Sequence, residues 1–195
     1  MSRVDARPRE PSLRVVLLLK TCEGGLWAVA QVEELRLRGH SVVAVLPAGT
    51  GRLRTALVGR GVAVHDSAFD FGFRRPWRAL RGLLRLRRQI TELAPDVVHY
   101  HLYASALAAR LATLGTGVPR VHMVAGPLYL ESPLIRAAER LLVRLDTVTV
   151  AGSAHTAALY RGLGVPSDRA STVPYGVDVD EFSPPCAATR AAARA

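Results

Sequence analysis

Arg14–His40, RVVLLLKTCEGGLWAVAQVEELRLRGH, decides the fold: it reads as a buried strand, a glycine-bearing turn and an amphipathic helix, and the later chain repeats that unit. Val15–Leu19 is a continuous apolar run without alternation, as expected of a strand covered by helices on both faces. From Leu26 onward, Leu26, Val29, Ala30, Val32 and Leu37 recur near helical period, and Gly39 stands where a left-handed cap ends a helix. The amino terminus of that helix points back at Gly24 and Gly25. Its first N–H groups lack intrahelical partners and the helix dipole adds partial positive charge, so a phosphate or other anion is expected against the two glycines. A tight turn that needs no side chain is the plainer reading of the pair. The pattern G-x-G-x-x-G is absent, which argues against a nicotinamide or flavin.

Ser41–Leu46 (SVVAVL) is a second buried strand, Leu53–Val58 a short helix and Val62–His65 a third strand. The loop from Asp66 to Arg75 carries Phe69, Phe71 and Phe73, and Pro76 opens a helix to about Leu93, ahead of Pro95. Asp96–His101 (DVVHYH) is a fourth strand, Ala104–Leu114 a helix and Pro119–Ala125 a fifth strand. Leu134–Leu145 reads as helix, Thr147–Ala151 as a sixth strand, Ser153 as the cap of a helix to Leu163, and Ala170–Val173 as a last short strand. This alternation predicts an α/β fold with a doubly wound parallel sheet and right-handed crossovers. Residues 1–12 are expected to form a disordered arm, 13–175 one Rossmann-like domain, and 176–195 a linker-type segment running into an Ala/Arg tail.

With 195 residues and 49% hydrophobic content, the chain can bury one ordinary core. No apolar run approaches the roughly 20 residues that span a bilayer, and MSRVDARPRE lacks the apolar centre of a signal peptide, so a cytoplasmic location is expected. Cys22 and Cys186 stand far apart outside any CxxC pair and read as free thiols. The net charge of +10, nearly all from arginine, suits nucleic acid, an anionic membrane or a phosphorylated ligand. No nucleic-acid module or regular aromatic platform accompanies it, so no nucleic-acid partner is expected.

Ligands of such sheets bind beyond the carboxyl ends of the strands, near the point where strand order reverses. His99 and His101 are two residues apart on the fourth strand and share a face, with His101 expected nearest the crevice. No third ligand stands at metal spacing, so no metal is expected; His122 and His155 have no nucleophile beside them.

Five phrases in order then resemble one family. They are the Gly24-Gly25 turn before a helix ending Arg-Gly39-His40, APDVVHYHLYASALAARLA, the Gly117-Val118-Pro119 entry, VTVAGSAHTAALY and VPYGVDVDEFSPP. Together, over about Leu13 to Pro185, they look like the amino-terminal domain of family-four glycosyltransferases of GT-B fold. The resemblance implies a two-domain enzyme. The first domain binds the acceptor, the second a nucleoside diphosphate sugar, and transfer to a hydroxyl of a glycan, lipid or small metabolite retains anomeric configuration. The implied donor is that nucleotide sugar, and no other cofactor is expected.

The chain stops at Ala195, so the family's donor-binding half, with its basic pair and its two glutamates separated by seven residues, is expected to be missing. Glu131 and Glu139 have that spacing by coincidence, because Pro133 lies between them and both precede the GVD phrase. Where many relatives have His-Gly after the fifth strand, with the histidine at the reaction centre, this chain has Ala125-Gly126. The catalytic role therefore has no owner in the sequence. Gly24, Gly25, His101, Gly126 and Glu131 are the candidate acceptor or phosphate residues, Glu131 as a contact for acceptor hydroxyls. The contrasting reading is a non-catalytic, truncated or split module that needs a separate donor-domain partner.

On the helix from Pro76, Arg78, Arg81, Arg85 and Arg88 fall on one stripe, which Arg74 joins if the helix extends back to it, with Leu80, Leu83, Leu84, Leu86 and Ile90 expected to pack on the sheet and Trp77 at the boundary. A solvated face is the plainer reading. The adjoining phenylalanines, and the lipid-linked acceptors of resembling enzymes, make Trp77, Arg78, Arg81, Arg85 and Arg88 candidates for peripheral contact with an anionic membrane, on the inner face of the plasma membrane.

Overall fold

The computed structural model describes residues 11–176. The expected amino-terminal arm up to residue 10, Cys186 and the GVD phrase beyond Gly176 lie outside the described residues. Seven strands form one sheet: β1 (Arg14–Leu18), β2 (Ser41–Leu46), β3 (Ala63–Asp66), β4 (Val97–His101), β5 (Arg120–Val124), β6 (Val148–Ala151) and β7 (Ala170–Thr172). Their order is β3-β2-β1-β4-β5-β6-β7 and every pairing is parallel. The helices are α1 (Trp27–Leu37), α2 (Arg52–Gly59), α3 (Pro76–Leu93), α4 (Tyr103–Ala112), α5 (Pro133–Leu142) and α6 (Ala154–Gly162). The Rossmann-like α/β architecture expected from the alternating pattern is the one observed.

The central strand explains the two-sided core. Successive side chains of β1 point to opposite faces, and here both faces are covered. Val15, Leu17 and Leu19 pack with Val29 and Val32 of α1 and Leu53 and Leu57 of α2. Val16 and Leu18 pack on the other side with Leu86 and Ile90 of α3 and Ala106 and Ala109 of α4. Each fully buried leucine or valine contributes about 1.5–3 kcal/mol of burial free energy, so β1 has no tolerance for a polar substitution.

Two close approaches fix how the helices sit. A Cβ on Gly51 would lie 2.4 Å from the carbonyl oxygen of Cys22, which accepts from the amides of Leu53 and Arg54 as α2 starts. A Cβ on Gly82 would lie 2.3 Å from Cδ2 of Phe69, which is buried against α3.

That second contact corrects the predicted face of α3. Ala79, Gly82, Leu86 and Ile90 face inward, whereas Leu80 and Leu84 are 51% and 58% exposed beside Trp77 at 78%. The helix is rotated so that Gly82 admits the phenylalanine ring. In α1 the inward stripe is Ala28, Val29 and Val32; Leu26 precedes the helix, and Ala30 and Leu37 face solvent. The cap at Gly39, with φ +89°, is as the sequence predicts. The helix expected to reach Leu145 ends at Leu142, and its last turn tightens to a 3-10 turn over Val143–Leu145.

A buried ionic cluster joins α4 to α5 and the sheet. Arg110 is 0% exposed and donates from Nη1 to Glu139 Oε2 at 2.7 Å, from Nε to Asp146 Oδ1 at 2.9 Å and from Nη2 to Asp146 Oδ2 at 2.5 Å. Tyr160 donates to Glu139 Oε1 at 3.1 Å, and Tyr100 donates to Asp146. Burial disfavours the Arg110 charge, but the hydrogen bonds and charges of Asp146 and Glu139 outweigh it and hold the guanidinium ionised. Removing one partner from such a buried set typically costs about 3–5 kcal/mol, because the remaining charges stay desolvated. Arg110→Met is accordingly expected to lower stability by about that amount in chemical denaturation, and adding Glu139→Gln with Asp146→Asn should recover much of the loss.

Candidate functional site

Strand order reverses between β1 and β4, so the chain leaving these two strands diverges and opens a crevice at their carboxyl ends. A cavity of about 250 Å³ sits there. Its walls include Lys20 after β1, Tyr103 and Ala104 at the amino terminus of α4, His122 of β5, and Gly126 after β5. Tyr129, in the 3-10 turn Leu128–Glu131, closes one side and stacks with Tyr103 at 5.0 Å between ring centroids. Leu102, the residue between β4 and α4, has φ +68° and ψ +148°, a conformation that a branched residue adopts only under constraint. Strain of this kind concentrates where a turn must aim a helix end at a site.

The predicted residues distribute unevenly around this crevice. Gly126 lines the cavity itself. Gly24 is exposed at a turn whose Glu23 amide donates to Thr21 Oγ1 at 3.1 Å, and Gly25 precedes α1 with φ +90°. Glu131 is exposed and lines a different, larger cavity between the Leu128–Glu131 turn and α6, with Arg136 and His155. Glu139, its partner in spacing, is buried on Arg110, so the two glutamates occupy unrelated environments.

His101 needs correction. It does not project into open crevice but is 0% exposed, with Nε2 3.0 Å from Gln31 Oε1 and its ring 4.3 Å from that of Trp27. Trp27, at the start of α1, also meets Tyr175 at 5.5 Å and so forms the lid over the histidine. His99 lies 4.5 Å from His101, with Nδ1 3.1 Å from the Val121 carbonyl. No sequence pattern points to Trp27, Tyr103 or Lys20 in these roles, since each is only an ordinary residue just past a strand or opening a helix.

On α3, Arg78, Arg81 and Arg85 are exposed and border a groove that Asp70 also lines. Arg88 is held by Glu92 at 2.7 Å. Phe69 lines only the floor of this groove and is otherwise buried, and Phe71 and Phe73 pack around it at 5.6 and 5.1 Å between ring centroids.

The two strand histidines make the fold acid-sensitive. Burial pushes the His99 imidazole down to about 4, with the Val121 hydrogen bond opposing and His122 adding, and burial beside His99 pushes His101 down as well. A group depressed in the folded state contributes its stability above its unfolded value, near 6.5, and loses it as pH falls. From His99 alone a loss on the order of 3 kcal/mol is expected between about pH 6.5 and 4. Urea unfolding across that range checks this, and His99→Gln should flatten the slope.

Comparison with known proteins converges with this geometry. The family description Glycosyltransferase Family 4 matches residues 26–181. None of the curated proteins matches the chain. A glycosyltransferase from Rickettsia africae superimposes with a TM-score of 0.67 at 16% identity, over 89% of this chain and 46% of that one. Anabaena Alr3699/HepE in complex with UDP-glucose gives 0.68 at 16% identity, over 93% and 49%. A UDP-GlcNAc 2-epimerase from Neisseria meningitidis, bound to UDP-GlcNAc, gives 0.59 at 18% identity, over 83% and 46%, so the fold alone does not select the chemistry. The chain spans about half the length of these solved structures. Their likeness establishes the GT-B type of fold, and the match over residues 26–181 establishes the family: the chain belongs to Glycosyltransferase Family 4.

Proposed function

We propose that the chain acts as the acceptor-binding half of a glycosyltransferase that moves a sugar from a nucleoside diphosphate donor to a hydroxyl, with retention of configuration. The observation that carries this reading is the family match combined with an open cavity at the strand-order switch, where Lys20, Tyr103 and Gly126 converge. In this reading Gly24, Gly25 and Gly126 offer backbone approach to the ligand, and Glu131 contacts acceptor hydroxyls. His101 is a positioning residue that supports Trp27. The leaving diphosphate needs N–H or cationic stabilisation as charge develops on it. The turn at Gly24 and Gly25 supplies part of that, and a donor domain, on a separate chain or a further segment, supplies the rest. In calorimetry with uridine, guanosine and adenosine diphosphate sugars, the 195-residue chain is expected to bind none at micromolar affinity; micromolar binding of any of them overturns the acceptor-side assignment.

An anionic membrane is the second partner in this reading. Trp77, Leu80 and Leu84 form an exposed apolar edge of α3, directly beside the cationic edge of Arg78, Arg81 and Arg85, whereas Arg74 precedes the helix, which starts at Pro76. Apolar side chains that enter the interface, flanked by cations that meet headgroups, are the physical requirement for a helix lying in the membrane plane. Each arginine near such a surface adds about 1 kcal/mol, screened by salt. No helix among the described residues is long and apolar enough to cross a membrane. In liposome sedimentation the chain should pellet with anionic vesicles at low salt and be released at high salt. Arg78→Glu with Arg81→Glu and Arg85→Glu should abolish pelleting, and binding indifferent to lipid charge removes this partner.

A further inference from the structure

We propose that the cavity at the carboxyl ends of β1, β4 and β5 is an oxyanion subsite that takes a phosphoryl or carboxylate group carried by the acceptor. This rests on the acceptor-side reading above and adds the charge of the group that is held.

Three independent features meet there. The first is the amino terminus of α4. The amide of Ala106 already donates to the Leu102 carbonyl at 3.0 Å, which leaves the amides of Tyr103, Ala104 and Ser105 ahead of it without intrahelical partners. They carry the positive end of the helix dipole, and Tyr103 and Ala104 line the cavity.

The second is His122. The residue is 0% exposed and lines the same cavity, yet its Nε2 has no hydrogen-bond partner among the described residues. The other nitrogen is committed, since Arg110 Nη2 lies 3.1 Å from Nδ1. Nη2 carries two hydrogens and also donates to Asp146 Oδ2 at 2.5 Å and Glu139 Oε1 at 3.0 Å, so Nδ1 accepts a shared one, and in that arrangement the ring proton sits on Nε2. The result is a buried donor with nothing to donate to, which costs about 1–3 kcal/mol unless an acceptor fills the space. Glu139 and Asp146 lie on the Nδ1 side, 4.0 and 3.5 Å away, with Arg110 bonded to both.

The third is composition. Lys20 supplies a cation to the lining, and no carboxylate side chain among the described residues lines the cavity. Size sets the class of ligand. The volume of about 250 Å³ is below the roughly 300 Å³ at which pockets for whole drug-sized ligands begin, so the site holds one charged group and leaves the remainder of the molecule in the open crevice. A nucleoside diphosphate does not fit within it.

The experiment is NMR of the isotopically labelled full chain, titrated with inorganic phosphate, glycerol 3-phosphate, acetate, neutral glycerol and uridine diphosphate. Phosphate, glycerol 3-phosphate and acetate should give saturable shifts at the Ala104 amide and at His122 Nε2–H, while glycerol gives none. Lys20→Met, on an exposed side chain, should weaken glycerol 3-phosphate about tenfold, and Arg140→Met, on an exposed side chain of α5, should leave it unchanged. Four results overturn the proposal: no saturable shift at these nuclei, shifts centred on the α3 arginines, an Nε2 without a proton, or uridine diphosphate binding well above phosphate, which would assign the site to the donor. The two readings separate cleanly. Neutral sugars that shift Gly126 while phosphate shifts nothing would overturn the subsite and leave the acceptor role standing; phosphate binding with no response to any sugar acceptor would do the reverse.

Discussion

A guanidinium with no solvent is the constraint on which much of this molecule depends. Arg110 reaches two carboxylates, one on α5 and one just ahead of β6, while itself belonging to α4. Burial penalises all three charges, and only close, well-directed hydrogen bonds offset that penalty. The arrangement therefore tolerates little sliding of α5 against α4. Its reach extends to the ligand side, because Arg110 also fixes the ring of His122 and, through Glu139, the hydroxyl of Tyr160, which bonds to that of Tyr129. Both His122 and Tyr129 are walls of the crevice cavity. Rigidity in the interior thus becomes shape at the surface, as first-contact residues need if they are to hold a substrate in one geometry.

The architecture was legible because its signals are local. Runs such as Val15–Leu19 and Ser41–Leu46 have one reading, a strand buried on both faces, and Pro76 and Gly39 mark helix ends by backbone geometry alone. The phase of α3 was not legible. Its inward face is chosen by Phe69 docking on Gly82, a contact between a loop and a helix that periodicity of apolar residues cannot encode, and Leu80 and Leu84 turn outward as a result.

The candidate site was legible in position and not in membership. The switch-point rule located the carboxyl ends of β1, β4 and β5, and Gly126 is there. His101 is beside it but beneath Trp27, since a residue at the end of a strand is covered or open according to where the next helix begins. The ionic cluster was missed for a related reason. Arg110, Glu139 and Asp146 lie 29 and 36 residues apart along the chain from the arginine, each within a stretch where a charged residue ordinarily faces water. Only the crossing of α4 and α5 turns them toward one another.

The lid over His101 also gives the molecule a built-in optical label. The sequence has two tryptophans, Trp27 and Trp77. One indole is half-buried among His101 and Tyr175 at the crevice; the other stands 78% exposed on the outer face of α3. Their emission therefore reports two separate environments. Replacing Trp77 by phenylalanine leaves a fluorophore that senses only the crevice, and replacing Trp27 leaves one that senses only the outer helix, so events at the two surfaces can be followed independently in the same chain without any attached dye.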